Sequence, residues 1–272
     1  MFKQLFVVGT AAFLASVAVA DSTSAQTLDK IKQRGVLVVG TKADYKPFGF
    51  RDPSGNIVGL EPDLARDIAQ KLGVKVEFEP VVSSNRMQFL QQGKIDLMLA
   101  TMNITPERRQ AVGIIEPSYY GSGVNVFANK KASLKKWEQL KDQKICAIQG
   151  SWYIKPITEK YGAEIIAFKG ATEAETALAQ GNCIGWLYDD TAFFERLTDA
   201  KWGGFEMPLP TIMVEPWGAA VRLEERDGPW GQFVKKAIED WHRSGQLIAL
   251  EKKWNIPASD YLKTLNEQYK SK

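Results

Sequence analysis

Arg108 is the side chain whose setting points most directly to a ligand. It follows Thr105-Pro106-Glu107, which reads as a helix start. Thr can cap it, Pro fits the first helical position because its missing N–H would have no partner there, and Glu suits the positive end of the dipole. A cation in that first turn is poorly placed against the dipole. Its guanidinium therefore serves either as a two-toothed grip on a carboxylate or as one half of an ion pair with a nearby Asp or Glu. Just upstream, Ile95 to Leu99 is a short apolar run with the look of a buried strand. Ala100-Thr101-Met102-Asn103 then sets small and polar groups at the C-terminal end of that strand, where open α/β sheets bind ligands.

Other residues of chemical interest are few. The chain has two cysteines, Cys146 and Cys183, each near the start of an apolar, strand-like run. In an exported protein such a pair reads first as a disulfide, with two buried thiols as the alternative. One histidine, His242, stands at a helix end and reads as a surface residue. With a single His and no CxxC, neither a metal site nor a cofactor is expected.

The elements that must position these groups follow from periodicity. Leu28 to Arg34 is a short helix, Val36 to Gly40 a buried strand, and Lys42 to Phe48 a loop. A helix begins near Glu61-Pro62-Asp63, carries an apolar face through Leu64, Ile68, Ala69 and Leu72, and closes at Gly73. Val74 to Phe78 alternates as a strand, Arg86 to Gln92 is helical, and the strand at 95–99 follows. A second β-α-β-α-β series runs from a connecting strand at 121–128 through a short helix at 134–140 and strands at 144–149, 165–168 and 183–188. Helices follow each of these strands, the last from Phe193 to Leu197. Thr211 to Val221 is extended, Pro229 to Trp254 helical, and a tail starts at Ser259. The expected fold is α/β: two doubly wound lobes joined by two hinge segments, with lobe 1 at 27–121 and 219–272 and lobe 2 at 122–218. Three strand ends would then face one cleft, carrying Lys42 and Tyr45, Thr101 and Asn103, and Asp189. Helix N-termini near Thr105 and Ser151 would aim N–H groups at an anion there.

The first twenty residues read as a leader. Lys3 precedes an apolar stretch from Leu5 to Val19, and Ala18-Val19-Ala20 is a cleavage site, with a second small-residue site ending at Ala25. No later stretch could span a bilayer. The 272 residues, 44% hydrophobic and 25% charged with a net charge of +3, suit a soluble globular protein. That slight, dispersed positive charge, without a Lys/Arg block, argues against nucleic acid.

Several motifs in order resemble the bacterial extracellular solute-binding proteins, family 3, the periplasmic proteins that deliver polar amino acids to ABC importers. They are Gly59-Leu60-Glu61-Pro62-Asp63-Leu64, Ile104-Thr105-Pro106-Glu107-Arg108, Gln149-Gly150-Ser151 and Asp189. The resemblance implies the periplasmic-binding-protein type II fold, no catalysis, a small amino acid as ligand, an ABC permease as partner, a monomer and a periplasmic location. It further implies that Arg108 holds the ligand α-carboxylate, assisted by Thr101, Asn103 and the loop at Ser151. Asp189 and the backbone at Ala100 would take the α-ammonium, and Tyr45 would pack over the ligand. Asp189 could instead cap the next helix. Lys42, and Arg86 at the end of Ser83-Ser84-Asn85-Arg86, match basic positions of the glutamate/aspartate-binding branch, which implies an acidic side chain. If Lys42 points to solvent and Arg86 pairs within its lobe, the ligand is neutral, such as glutamine or cysteine. Dehydratases of prephenate or arogenate share this fold and form the enzymatic alternative. They need a protonated carboxylic acid in the cleft, and the sequence shows no unpaired Glu there.

Overall fold

A computed structural model of the chain describes residues 27–271. The leader at residues 1–20, or to 25, lies outside the described residues. Among those described, no helix is long and apolar enough to cross a membrane.

The chain opens with α1 (Thr27–Arg34) and β1 (Val36–Thr41), followed by the short strands β2 (Asp44–Tyr45), β3 (Gly49–Arg51) and β4 (Ile57–Val58). Next come α2 (Leu60–Leu72), β5 (Lys75–Pro80), α3 (Arg86–Gln91), β6 (Leu97–Met98), α4 (Pro106–Ala111) and the long β7 (Gly113–Asn129). The second series is β8 (Lys144–Ile148), α5 (Ile154–Tyr161), β9 (Glu164–Phe168), α6 (Ala171–Ala179), β10 (Gly185–Asp189), β11 (Phe205–Glu206) and β12 (Ile212–Val221). Helices α7 (Pro229–Ser244), α8 (Gln246–Lys253) and α9 (Asp260–Lys270) complete it.

The main sheet runs β5-β1-β6-β12-β7-β10-β8-β9, with β11 on β7. Its two ends have the same plan. In the first lobe β5, β1 and β6 are parallel and β12 joins antiparallel. In the second, β9, β8 and β10 are parallel and β7 joins antiparallel. The long strands β7 and β12 pair with each other and weld the halves together. This is the expected α/β fold with two doubly wound lobes. Apolar runs make the inner parallel strands: Leu37, Val39 and Leu97 in one lobe, and Ile145, Ala147 and Leu187 in the other, are fully buried, whereas the edge strands β5 and β9 are partly exposed.

Cys146 and Cys183 are joined in a disulfide, with their Cα atoms 5.6 Å apart. Cys146 lies on β8 and Cys183 just ahead of β10, so the parallel pairing of these two strands brings them together.

Several local expectations are corrected. The connecting strand begins at Gly113 rather than 121, because residues 113–115 already pair with Ala219 to Val221. The helix at 134–140 is a single 3₁₀ turn, Trp137–Leu140, and Asp190–Phe193 forms another in place of a helix at 193–197. The tail after Ser259 is helix α9, capped by the Ser259 hydroxyl on the Leu262 N–H. That helix also overturns the surface reading of His242, which is 1% exposed. The ring of Tyr269 stacks on it at 5.3 Å, and its Nε2 lies 2.7 Å from the Ser118 carbonyl oxygen. A carbonyl only accepts, so Nε2 carries a proton, and burial favours the neutral ring. Burial lowers its pKa, consistent with that form.

Candidate functional site

The C-terminal ends of the parallel strands meet between the lobes, and nearly every residue singled out above is there. Lys42 follows β1 directly and is 1% exposed, with its Nζ 3.0 Å from the Ser83 Oγ. It does not point to solvent. Arg86 opens α3, is 2% exposed and donates to the Ala100 carbonyl oxygen. Ala100 therefore faces Arg86 with the group expected to face a ligand ammonium. Tyr45 reaches across to the second lobe, where its hydroxyl lies 2.7 Å from Thr191 Oγ1 and 3.4 Å from Asp189 Oδ2. Its ring packs on Tyr188 with centroids 5.2 Å apart.

Arg108 sits where the capped turn puts it. Thr105 accepts from the Arg108 N–H through its side chain, and Pro106 takes the first helical position. The guanidinium donates to the Asn103 carbonyl oxygen at 2.8 Å and, across the cleft, to the Gly150 carbonyl oxygen at 3.0 Å. Two carbonyls thus take the place of the Asp or Glu partner that a structural ion pair would need. Gly150 is required at this contact. Its φ is +82°, and a Cβ there would come within 2.8 Å of the backbone at Ser83 and Ser84. Thr101 and Asn103 are both buried, and the side-chain amide nitrogen of Asn103 has no partner among the described residues.

Two readings fail, one an expectation and one an alternative. Ser151 does not stand at a helix N-terminus: its N–H bonds the Ile148 carbonyl oxygen in a turn, and α5 starts only at Ile154. Asp189 does not cap the following 3₁₀ turn with its side chain. It is 3% exposed, and Oδ1 is buried without a hydrogen-bond partner.

A third reading, that the cleft holds no unpaired Glu, is also overturned. Glu61 is fully buried. Its Oε1 accepts from the Thr101 N–H at 2.6 Å and from the Tyr119 hydroxyl, while Oε2 has no partner. The sequence carried a signal for this. Counting back along the apolar face of α2, Glu61 stands four residues before Ala65 and seven before Ile68, both fully buried. Gly59, at φ +135°, lets the chain enter α2 against the Phe48 carbonyl, which turns that first residue pair inward.

Burial governs the electrostatics. It pulls the Lys42 ammonium down from 10.5 to about 8. A fall of that size corresponds to about 3 kcal/mol against the charged form at neutral pH. Burial pushes the Asp189 carboxyl up to about 7, helped by the negative charge of Asp190 and opposed by Arg86, Lys42 and Arg108. It pushes Glu61 up to about 7 as well, opposed first by the Tyr119 hydrogen bond. Burial and the neighbouring Arg86 both lower the Arg108 pKa. Outside this charged centre, a groove of about 830 Å³, lined by Met87, Ile104, Arg108, Gly150 and Trp152 among others, opens from the cleft. Such an arrangement can hold a small zwitterion out of water. No group of His, Cys, Asp and Glu among the described residues could hold a metal ion.

Comparison with known proteins gives the family. Over 234 residues the chain is 30% identical to an ABC transporter glutamine-binding protein of Bacillus subtilis, covering 84% of each chain. It is 26% identical to an L-glutamate/L-aspartate-binding protein of Pseudomonas aeruginosa, covering 94% of this chain and 92% of the other. Among solved structures, an L-cysteine solute receptor of Neisseria gonorrhoeae superposes with a TM-score of 0.79 at 27% identity, covering 86% of this chain and 95% of that one. These relatives are named for different amino acids. Residues 37–257 match the bacterial extracellular solute-binding proteins, family 3, and the chain belongs to that family of amino-acid-binding proteins of ABC transporters.

Proposed function

We propose that this protein captures an acidic L-amino acid, glutamate or aspartate, by closing its lobes and delivers it to the permease of an ABC importer. It would act in the periplasm, as a monomer, after loss of residues 1–20 or of a few more. The observation that carries the acidic reading is the buried charge. Three cations, Lys42, Arg86 and Arg108, share the cleft with two carboxylates, Glu61 and Asp189. A zwitterionic backbone needs one of each: Arg108 for the carboxylate, with Thr101, Asn103 and the 150–151 loop, and Asp189 for the ammonium, under Tyr45. With Asp44, which accepts from the Ala171 N–H, acting on Lys42 from outside this group, what remains at Lys42, Arg86 and Glu61 is one net positive charge. A side-chain carboxylate neutralises it, whereas a neutral ligand leaves it buried and unpaired. Ser83 orients Lys42 for this role, and Ala100 orients Arg86. The lobes would divide at 121/122 and 218/219, a reading supported by the register shift between Trp217 and Ala219 where β12 passes β7.

A neutral ligand such as glutamine is the second reading. It is favoured by those same two contacts, because each side-chain cation already has a neutral partner inside its own lobe. Glu61 gives the dehydratase alternative a candidate acid, since it keeps a proton more readily than an exposed carboxyl. Thermal unfolding of refolded, ligand-stripped protein separates the three. Ligand raises the melting temperature in proportion to RT ln(1 + [L]/Kd). Acidic transport predicts large shifts with glutamate or aspartate and small ones with glutamine, asparagine, cysteine, histidine and arginine. The largest shift with a neutral amino acid would overturn the specificity, and consumption of prephenate would overturn the transport reading.

A further inference from the structure

Peptide 100–101 is gripped from both sides. In a trans peptide the C=O and N–H point in opposite directions. Here the Ala100 C=O accepts from Arg86 while the Thr101 N–H donates to Glu61. Thr101 has φ +49°, a left-handed conformation that a β-branched residue adopts only when its surroundings impose it. Glu61 is positioned to impose it. The carboxylate is fully buried, and the oxygen that accepts from Thr101 also accepts from the Tyr119 hydroxyl. Glu61 and Arg86 therefore bracket one peptide plane, and each fixes the other through it.

The same pair sets the charge balance. The titratable and charged groups that act on Glu61 are Tyr119 on β7, Arg86 on α3 and Lys42 after β1. Lys42 and Arg86 are the two cations assigned above to the ligand side chain. A negative Glu61 offsets part of their charge beside Asp44 and Asp189, and a neutral residue in its place would leave a larger positive excess.

We propose that Glu61 is a positioning and specificity-determining residue: through peptide 100–101 it orients Arg86, and through its own charge it limits the side-chain subsite to a single negative charge. The inference rests on Lys42 and Arg86 facing the ligand side chain.

The test uses the mature protein and the isosteric pair glutamate and glutamine, with Kd values from calorimetry. Glu61→Gln keeps an acceptor for Thr101 and Tyr119 and removes only the charge. It should shift the glutamine-to-glutamate Kd ratio toward glutamate by about tenfold at about pH 8, whichever ligand the wild type prefers. In the wild type that ratio should also move toward glutamate as pH falls from about 8 to about 6, because Glu61 takes up a proton. The Glu61→Gln profile should be shallower, keeping only the part due to Lys42, which burial brings down to about 8. Effects of Asp189 are common to both ligands and cancel in the ratio. Glu61→Ala should weaken both ligands together, through loss of the grip on the peptide. If Glu61→Gln does not fold, Tyr119→Phe replaces it. Loss of the hydroxyl that stabilises the carboxylate should move the midpoint of the wild-type profile to higher pH. A wild-type ratio favouring glutamine would sink the acidic reading and leave the Glu61 shift to be judged on its own. A ratio and pH profile unchanged in Glu61→Gln, or an unmoved midpoint in Tyr119→Phe, would overturn the role of Glu61.

Discussion

The two lobes share a sheet plan but contribute differently to the cleft. The first supplies Lys42, Glu61, Arg86 and Arg108, four buried charges. The second supplies one, Asp189, set among Tyr153 and Tyr188. Three of the first lobe's four make hydrogen bonds within their own lobe: Lys42 with Ser83, Glu61 with Thr101, Arg86 with Ala100. They do not depend on closure. The second lobe is engaged only across the gap, through Arg108 to Gly150, Tyr45 to Thr191, and the Asp44 carboxylate accepting from the Ala171 N–H at the start of α6. On the proposed function, selectivity belongs to the first lobe, whereas the second adds affinity by covering the ligand and excluding water.

That contrast can be broken in order of expected effect. Arg108→Ala removes the buried cation that bonds both lobes. It should weaken every amino acid alike by about 4 kcal/mol or more, about a thousandfold, in calorimetry. A loss confined to one ligand would show that Arg108 reads the side chain. Replacing Cys146 and Cys183 by Ala opens a 37-residue separation within the second lobe. Denaturant unfolding should show a loss of about 3 kcal/mol, with the glutamate-to-glutamine preference unchanged. Lys42→Met and Arg86→Met should each weaken glutamate by about 2 kcal/mol and glutamine little. The Lys42 variant should also make the ligand-free protein more stable at neutral pH, because burial works against the ammonium.

Two smaller effects concern pH and closure. His242 is buried neutral, so its folded pKa lies below the ordinary 6.5. Its contribution to stability is complete above that unfolded value and is lost as pH falls through the folded one. His242→Gln, able to donate to Ser118, should remove that part of the acid slope in melting temperature. The exposed pair of Lys46 with Glu195 crosses the cleft mouth. Glu195→Ala should cost about 0.5 kcal/mol of affinity, equally for all ligands.

Much of this was legible in the chain. Period and punctuation located the parallel strands and α2, because Val, Ile and Leu runs closed by Gly leave few alternatives. The cap at Thr105 placed Arg108, and the two strand-borne cysteines anticipated their pairing. What escaped depends on partners far away in sequence. The early start of β7 is decided by β12, about a hundred residues on. His242 is buried only because α9 folds back over it. The apolar face of α2 marks Glu61 as inward-facing, but its partners at Thr101 and Tyr119 lie forty and more residues away. The turn at Ser151 was misread because Tyr153, not Ser151, ends up preceding α5.

The most direct test of the account is a calorimetric titration of the stripped wild-type protein with glutamate and then with glutamine at about pH 8. The two ligands differ by one charge and almost nothing in shape. A buried surplus of positive charge at Lys42 and Arg86 predicts tighter binding of glutamate by about a hundredfold. Equal affinities, or tighter binding of glutamine, would contradict it.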